Sequence, residues 1–311
     1  MNPLVTIICI SYNHAPFIGK ALDSVLAQDY KNIQILVVDD NSSDDSVSQI
    51  KLTLKHNPEV VFIENRTNQG NCKSFNRALK LAEGKYIVDF ALDDIMKPCM
   101  VSKMVQTFEN LPAEFGVLYS DVEIIDEKDK VISQSSISDN TPNVSEIYKF
   151  LVKKSFINPV GMMVRKNVLH ELGGYDENLA YEDFDFWIRS SRNYKYQFCP
   201  EVLFSKRISS GSHSSAFYSK NNHVMNLSTF RVCQKIAWLN RNNEEDEMLV
   251  SRINFEARFC FYMQQFQLVN NYRELLRGLG KRSLQLEVIW GLSLLRLPVH
   301  IFYKTYRRIV S

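Results

Sequence analysis

The stretch Tyr86–Asp94 reads YIVDFALDD, and its two ends make opposite demands. Tyr86, Ile87, Val88, Phe90 and Ala91 suit a short buried strand, and Asp93 and Asp94 then arrive where that strand should stop. Burying an unpaired carboxylate costs far more than a hydrogen bond returns, so paired acids at a strand's C-terminal edge call for a cation. A divalent metal bridging a diphosphate meets that demand. The plainer reading is a solvated turn, since Asp-Asp is common where strands run into loops.

Outward from this stretch the chain alternates between apolar strands and amphipathic helices. Leu4–Ile10 is a strand, followed by a helix over 15–28 with Ile18, Leu22, Val25 and Leu26 on one face. Ile33–Val38 is the second strand and Asp44–Leu54 the second helix, entered through residues 41–44, any of which can cap it. Val60–Ile63 is a third strand, and a helix from about Cys72 to Ala82 stops at Gly84. Continuous apolar strands joined by helices imply a parallel sheet covered on both faces, with ligands at the strands' C-terminal ends. Three polar clusters fall at those ends: Ser11-Tyr12-Asn13, Asp39-Asp40-Asn41-Ser42 and Asp93-Asp94. They should converge on one crevice.

Beyond residue 95 the rhythm changes. Phe115–Ile125 and Val131–Ile132 read as strands joined by the turn Asp126–Lys130, Val144–Lys153 as a helix, and Ile157–Arg165 as a strand. Leu172–Asp176 is a turn, Tyr181–Arg192 an amphipathic helix, and Tyr196–Cys199 and Val202–Arg207 are short strands. A loop rich in Gly and Ser, Ser209–Ser215, leads into an almost wholly helical C-terminal region.

The 311 residues are 45% hydrophobic and 23% charged, which excludes a disordered chain. The net charge of +2 points to no class of partner, and no nucleic-acid partner is expected. Six cysteines without a CxxC pair indicate reduced thiols rather than a zinc site or a disulfide framework. The N-terminus reads as a core strand rather than a signal peptide, and no run of apolar residues is long enough to span a bilayer.

Five segments together resemble the inverting family 2 glycosyltransferases of the GT-A fold: VTIICISYN at 5–13, ILVVDDNSSDDS at 35–46, NQGNCKSFNRALKLAEGKY at 68–86, FALDDIMKP at 90–98 and GGYDENLAYEDFDFW at 173–187. The resemblance covers about residues 4–210. It implies a Rossmann-like α/β catalytic domain over 1–215, with a nucleotide-sugar-binding half at 1–98 and an acceptor half at 99–215, and a helical region at 216–311. It also implies transfer of a sugar from a nucleotide-sugar donor to a glycan or lipid-linked acceptor, in surface polysaccharide biosynthesis, with Mg²⁺ or Mn²⁺.

Residue by residue, the resemblance sets Tyr12 against the nucleotide base and Asp40 as its hydrogen-bonding partner, with Ser11 and Asn13 beside them. Asp93 and Asp94 match the metal motif, whose commonest form has a further aspartate where this chain has Ala91. Asp94 is the expected metal ligand, and Asp93 the metal or donor ligand. Asp183 matches the catalytic base: inversion needs one carboxylate to take the acceptor's proton, and a metal-held charge to offset the leaving diphosphate. Glu182 and Asp185 are at most supporting charges, and the same acids would also suit a helix start. Lys73 and Arg77 could face the diphosphate or form a solvated helix face. His213 is a candidate diphosphate or metal ligand, four residues later than the family spacing after Arg207 would put it. Trp187 reads as core.

The segment 281–311 carries Lys281, Arg282, Arg296, Lys304, Arg307 and Arg308 against the single acid Glu287. An amphipathic helix with a basic fringe can lie on an anionic membrane, so the expectation is a cytoplasmic enzyme, peripheral at the inner membrane. Packing against the chain itself or in a homodimer suits the composition equally. Two rival functions are a nucleotidyltransferase, which would carry a glycine-rich phosphate loop where residues 4–20 have only Gly19, and an inactive sugar-nucleotide-binding protein, which would have no need of Asp183.

Overall fold

The computed structural model describes residues 2–134, 146–209 and 223–296. They divide into a first unit of residues 2–134, 146–147, 156–178 and 189–209, and a second of residues 148–155, 179–188 and 223–296.

The first unit is built on one mixed sheet. Its strands are β1 (Val5–Ser11), β2 (Ile33–Asp39), β3 (Val61–Glu64), β4 (Tyr86–Ala91), β5 (Ile95–Met96), β6 (Phe115–Ile125), β7 (Val131–Gln134), β8 (Met162–Arg165) and β9 (Lys195–Arg207). They lie in the order β3-β2-β1-β4-β8-β6-β9-β5, with β7 on β6. The first four are parallel neighbours, whereas β8 runs antiparallel to both β4 and β6.

Every residue of β1 is buried, because it has a strand on each side and helices on its faces, and this is why its sequence is a continuous apolar run. Val5, Ile7 and Cys9 join a core with Val88 and Phe90 of β4, with Ile18, Leu22 and Val25 of α1 (Ile18–Leu26), and with Met104 and Phe108 of α4 (Met100–Glu109). Between these helices come α2 (Ser46–Thr53) and α3 (Asn71–Leu79). Strand register places Ser11 beside Asp39 and Ile10 beside Ala91, so the polar clusters after β1, β2 and β4 emerge at one sheet edge.

The strands of this half match the sequence reading closely, and the later half departs from it. The expected strand 157–165 is strand only over Met162–Arg165; Pro159, which has no N–H to give a ladder, opens a 3₁₀ turn at Pro159–Gly161 capped by the Asn158 side chain. The two short strands expected at 196–207 are one strand, β9, whose register jumps from Cys199 to Val202 around Pro200 and Glu201. Helices α4 and α6 (Lys166–Leu172) and the two-residue β5 were not anticipated.

The second unit is helical. It contains most of α5 (Ile147–Lys153) and α7 (Glu182–Ser190), with α8 (Val224–Leu239), α9 (Asn243–Tyr262), α10 (Phe266–Gly278) and α11 (Leu284–Leu294). Val232, Cys233, Ile236, Leu249, Ile253, Ala257, Cys260, Val269 and Tyr272 are buried there.

Gly84 sets how closely the chain before β4 meets β1. Its N–H donates to Thr6 Oγ1 at 2.9 Å, and a Cβ built on it would crowd the Thr6 amide and lie 2.8 Å from the Tyr86 carbonyl oxygen. Backbone cannot give way as a flexible side chain can, so Gly84→Ala should cost about 1–3 kcal/mol in urea unfolding. Gly19→Ala, which meets nothing within 4 Å, should cost none of this. Equal stabilities for the two variants would remove the close approach as a constraint.

Candidate active site

The loops after β1 and β2 are laced together. Asn13 and Asn41 both adopt left-handed backbone, at φ 56° and 61°, a conformation asparagine tolerates better than most residues. The Asn13 N–H donates to Ser42 Oγ at 2.9 Å, and Asn13 Oδ1 accepts the Ser43 N–H at 2.8 Å. The His14 N–H donates to Ser46 Oγ, and the Ala15 N–H to Asp44 Oδ2. Tyr12 projects from this framework as an exposed aromatic side chain. Ser11 is fully buried, and its Oγ has no hydrogen-bond partner among the described residues. An orphaned hydroxyl at a sheet edge marks a place where a ligand's polar atom would be welcome.

Asp40 is engaged by the protein itself. Its Oδ1 accepts from Asn65 Nδ2 at 2.8 Å, the Gln69 N–H at 2.9 Å and Ser74 Oγ at 2.9 Å, and its Oδ2 from the Gly70 N–H at 2.8 Å. The carboxylate thus shapes the loop before α3 and the start of that helix. Arg77 is tied to Asn65 Oδ1 at 2.5 Å, while Lys73 is exposed on the first turn of α3.

Asp93 and Asp94 follow β4 and are fixed by Arg207 at the end of β9. The Arg207 N–H donates to Asp94 Oδ1 at 2.7 Å, and its Nε to the Asp93 carbonyl at 2.7 Å. The rest of the guanidinium reaches the Asp126 carbonyl at 2.7 Å and Asp129 Oδ1 at 2.6 Å, and it lies over the Phe17 ring. Asp94 is only 3% exposed. Burial, and next the charge of Asp93, push its carboxyl well above the ordinary carboxylate range, with the Arg207 N–H acting in the opposite sense. Asp93 is less enclosed, with its Oδ2 3.9 Å from His14 Nε2.

Among the described residues no three His, Cys, Asp or Glu side chains gather into a metal cage. An adjacent pair of carboxylates, one of them raised by burial and by the other's charge, is nonetheless a donor set that suits Mg²⁺ or Mn²⁺. Such ions are held by one or two carboxylates, with phosphate oxygens and water completing the shell.

Asp183 lies in the second unit, in the first turn of α7 beside the buried Glu182 and Asp185. Trp187 is core, as its sequence context implied. His213 lies outside the described residues. Sequence reading passed over His14, although it follows Tyr12-Asn13 directly, and gave Arg207 no role beyond a spacing marker.

With this arrangement in view, the comparisons are consistent. Residues 6–173 match the family described as Glycosyl transferase family 2. An uncharacterized glycosyltransferase of Methanocaldococcus jannaschii is 31% identical over 211 residues, 67% of this chain and 71% of that protein. Another, from Rickettsia prowazekii, is 29% identical over 67% of this chain and 64% of its own length. In fold the chain is similar to S. aureus TarS 1–349 in complex with UDP-GlcNAc, at TM-score 0.72 and 18% identity over 98% of this chain and 92% of that one. It is also similar to a mannosyltransferase of Pyrobaculum calidifontis in complex with GDP-Man and Mn²⁺, at TM-score 0.59 and 16% identity over 99% and 83%. The chain belongs to glycosyl transferase family 2 and has the GT-A fold. It is a glycosyltransferase.

The raised Asp94 carboxyl has a measurable consequence. A carboxyl whose folded value lies above its unfolded one favours folding most below the unfolded value and loses that contribution as pH rises through the folded value. In chelator, Asp94→Asn should therefore melt above wild type at about pH 8, with the gap closing towards about pH 5. Scanning calorimetry should read roughly 2–4 °C per kcal/mol removed. A variant that melts below wild type at the higher pH would show that the buried charge is compensated by the protein alone.

Proposed function

We propose that this protein moves a sugar from a nucleotide-sugar donor to a hydroxyl of a glycan or lipid-linked acceptor, with inversion at the anomeric carbon, in the making of a surface polysaccharide. The observation that carries the reading is the Asp93–Asp94 pair at the end of a parallel strand, held by Arg207, with the Asp94 carboxyl raised by burial and by the charge of Asp93. It is supported by the fold likeness to proteins described as bound to UDP-GlcNAc and to GDP-Man with Mn²⁺.

In this proposal residues 1–98 bind the donor and 99–215 shape the acceptor side. Tyr12 offers its exposed face to the nucleotide base, and the Ser11 hydroxyl and Asn13 line the same edge. Asp40 acts through the loop it holds, and Lys73 attracts the diphosphate. Asp94 and Asp93 would hold a Mg²⁺ or Mn²⁺, which when bound would offset the charge of the departing nucleoside diphosphate. Asp183 accepts the proton of the acceptor hydroxyl as that oxygen attacks the anomeric carbon. One displacement then inverts the centre without a covalent intermediate.

The test is a panel of UDP-, GDP- and dTDP-sugars with Mn²⁺, read by product. Release of nucleoside diphosphate is expected, and release of pyrophosphate would instead mark a nucleotidyltransferase. Asp183→Asn should keep donor binding by calorimetry and lower turnover about 10²–10⁴-fold, the range for losing a general base. Undiminished turnover in that variant would exclude Asp183, and no product from any donor would favour an inactive binding protein.

We further propose attachment to the cytoplasmic face of a membrane through the segment beginning at residue 281. Among the described residues no helix is long and apolar enough to cross a bilayer. On α11, however, Leu284, Val288, Leu292 and the following Leu295 are exposed at helical spacing, with Arg282 and Arg296 at its ends, while Lys281 is paired with Glu247. Residues 297–311 of this segment lie outside the described residues. Each basic residue near an anionic surface is worth about 1 kcal/mol, so sedimentation with phosphatidylglycerol vesicles should weaken in salt. It should fall at least about tenfold in Val288→Glu/Leu292→Glu, which removes apolar area as well. Equal sedimentation of wild type and variant would turn the reading to a homodimer or to packing within the chain.

A further inference from the structure

Asp183 is flanked on both sides by residues that the C-terminal helices hold, and all of these contacts lie within the second unit. Ahead of it, Ser228 Oγ of α8 accepts the N–H groups of Ala180 at 3.1 Å and Tyr181 at 2.9 Å. These amides belong to the chain entering α7, where a helix leaves its first donors unmatched. Behind it, Lys235, two turns further along α8, places its Nζ 2.6 Å from Asp185 Oδ1. The Asp185 side chain is wholly buried, whereas that of Lys235 is a third exposed.

Arg252 of α9 adds a second clamp. Its guanidinium lies 4.6 Å over the Phe184 ring and donates to the Val152 carbonyl at 3.0 Å, the Leu151 carbonyl at 3.2 Å, Ser155 Oγ at 3.0 Å and Glu256 Oε1 at 3.0 Å. Ser155 in turn bonds the Tyr181 hydroxyl. Residues 180, 181, 184 and 185 are therefore each gripped by a side chain drawn from helices that begin at Val224 and Asn243, well beyond the end of the family match at residue 173.

An ion pair with one buried member is a poor source of net stability, because desolvating the carboxylate consumes much of what the attraction returns. What it does well is fix one geometry, since a buried carboxylate cannot shift away from its cation without a steep cost. We propose that Lys235, Ser228 and Arg252 are positioning residues for Asp183, so that the helices after residue 223 complete the first turn of α7 as a catalytic element. This rests on the reading of Asp183 as the general base. The pair Lys235–Asp185 fixes the turn after the base and Ser228 the turn before it, and neither touches substrate.

The test removes the pair as a unit. Lys235→Met/Asp185→Asn removes both charges of the pair together, so it should melt close to wild type. With the UDP-, GDP- or dTDP-sugar that wild type turns over, its kcat should fall about 10–100-fold with donor KM within about twofold, as expected when a reacting group is displaced without loss of binding. Rates are normalised to the nucleoside-diphosphate-binding fraction found by calorimetry, which discounts misfolded protein. Lys235→Arg should recover most of the rate, a rescue that a simple packing defect would not give. Should the double variant fold poorly, Ser228→Ala is expected to give the same kcat loss at unchanged KM. Independently of turnover, hydrogen exchange at amides 180–185 should quicken in either variant while the rest of α7 and α8 keep their protection. Wild-type kcat and exchange in folded variants would overturn the proposal. If Asp183→Asn is inactive while these variants are not, only the positioning role falls; if Asp183→Asn is itself fully active, the base reading falls and takes this proposal with it.

Discussion

A pair of carboxylates at the end of a buried strand is unstable by itself, and Arg207 is what makes the arrangement possible. It meets the loop after β4 twice, through its N–H on Asp94 and its Nε on the Asp93 carbonyl. It also joins that loop to the turn between β6 and β7, through Asp126 and Asp129. The guanidinium can be buried because its donors are satisfied and Phe17 covers one face. Yet the carboxyl of Asp94 stays raised, because burial and the charge of Asp93 outweigh the Arg207 N–H.

Asp40 illustrates the opposite use of the same residue type. Two adjacent carboxylates stand at the end of β2 as two follow β4, yet both members of the first pair are taken up by protein donors. Asp39 takes the N–H and hydroxyl of Ser42, and Asp40 takes four donors from the loop and helix after β3. Their energy goes into loop shape. A second fastening does the same for the GGYD turn: Asn76 of α3 exchanges hydrogen bonds with both the N–H and the carbonyl of Tyr175. Gly174, at φ 78°, approaches Asn76 too closely for a side chain. The loops that carry the site are thus stiffened from behind, which is how precise positioning is obtained from irregular backbone.

The regular elements of the first half were legible because burial on both faces writes itself into composition. A strand such as β1 can be apolar throughout only when nothing about it meets water. The end of β4 was legible for the converse reason, charge appearing where the apolar run stops. Helix α4 also carries a readable signal, with Met100, Val101, Met104, Val105 and Phe108 on one buried face, and was overlooked. Strand β5 carries none, since two residues cannot display a period.

A parallel α/β core, the convergence of three polar strand ends on one edge and the family to which the motifs belong are all legible in the order of the residues. How each acid is used emerges once the chain is folded: Asp40 shapes a loop, Arg207 anchors Asp94 from 113 residues away, and Lys235 reaches Asp185 across 50. The physical reason is the range of the forces involved. Apolar burial repeats with the period of the element and so leaves a local pattern, whereas a hydrogen bond or ion pair joins two atoms at a single point, and nothing in the residues around either partner announces the other.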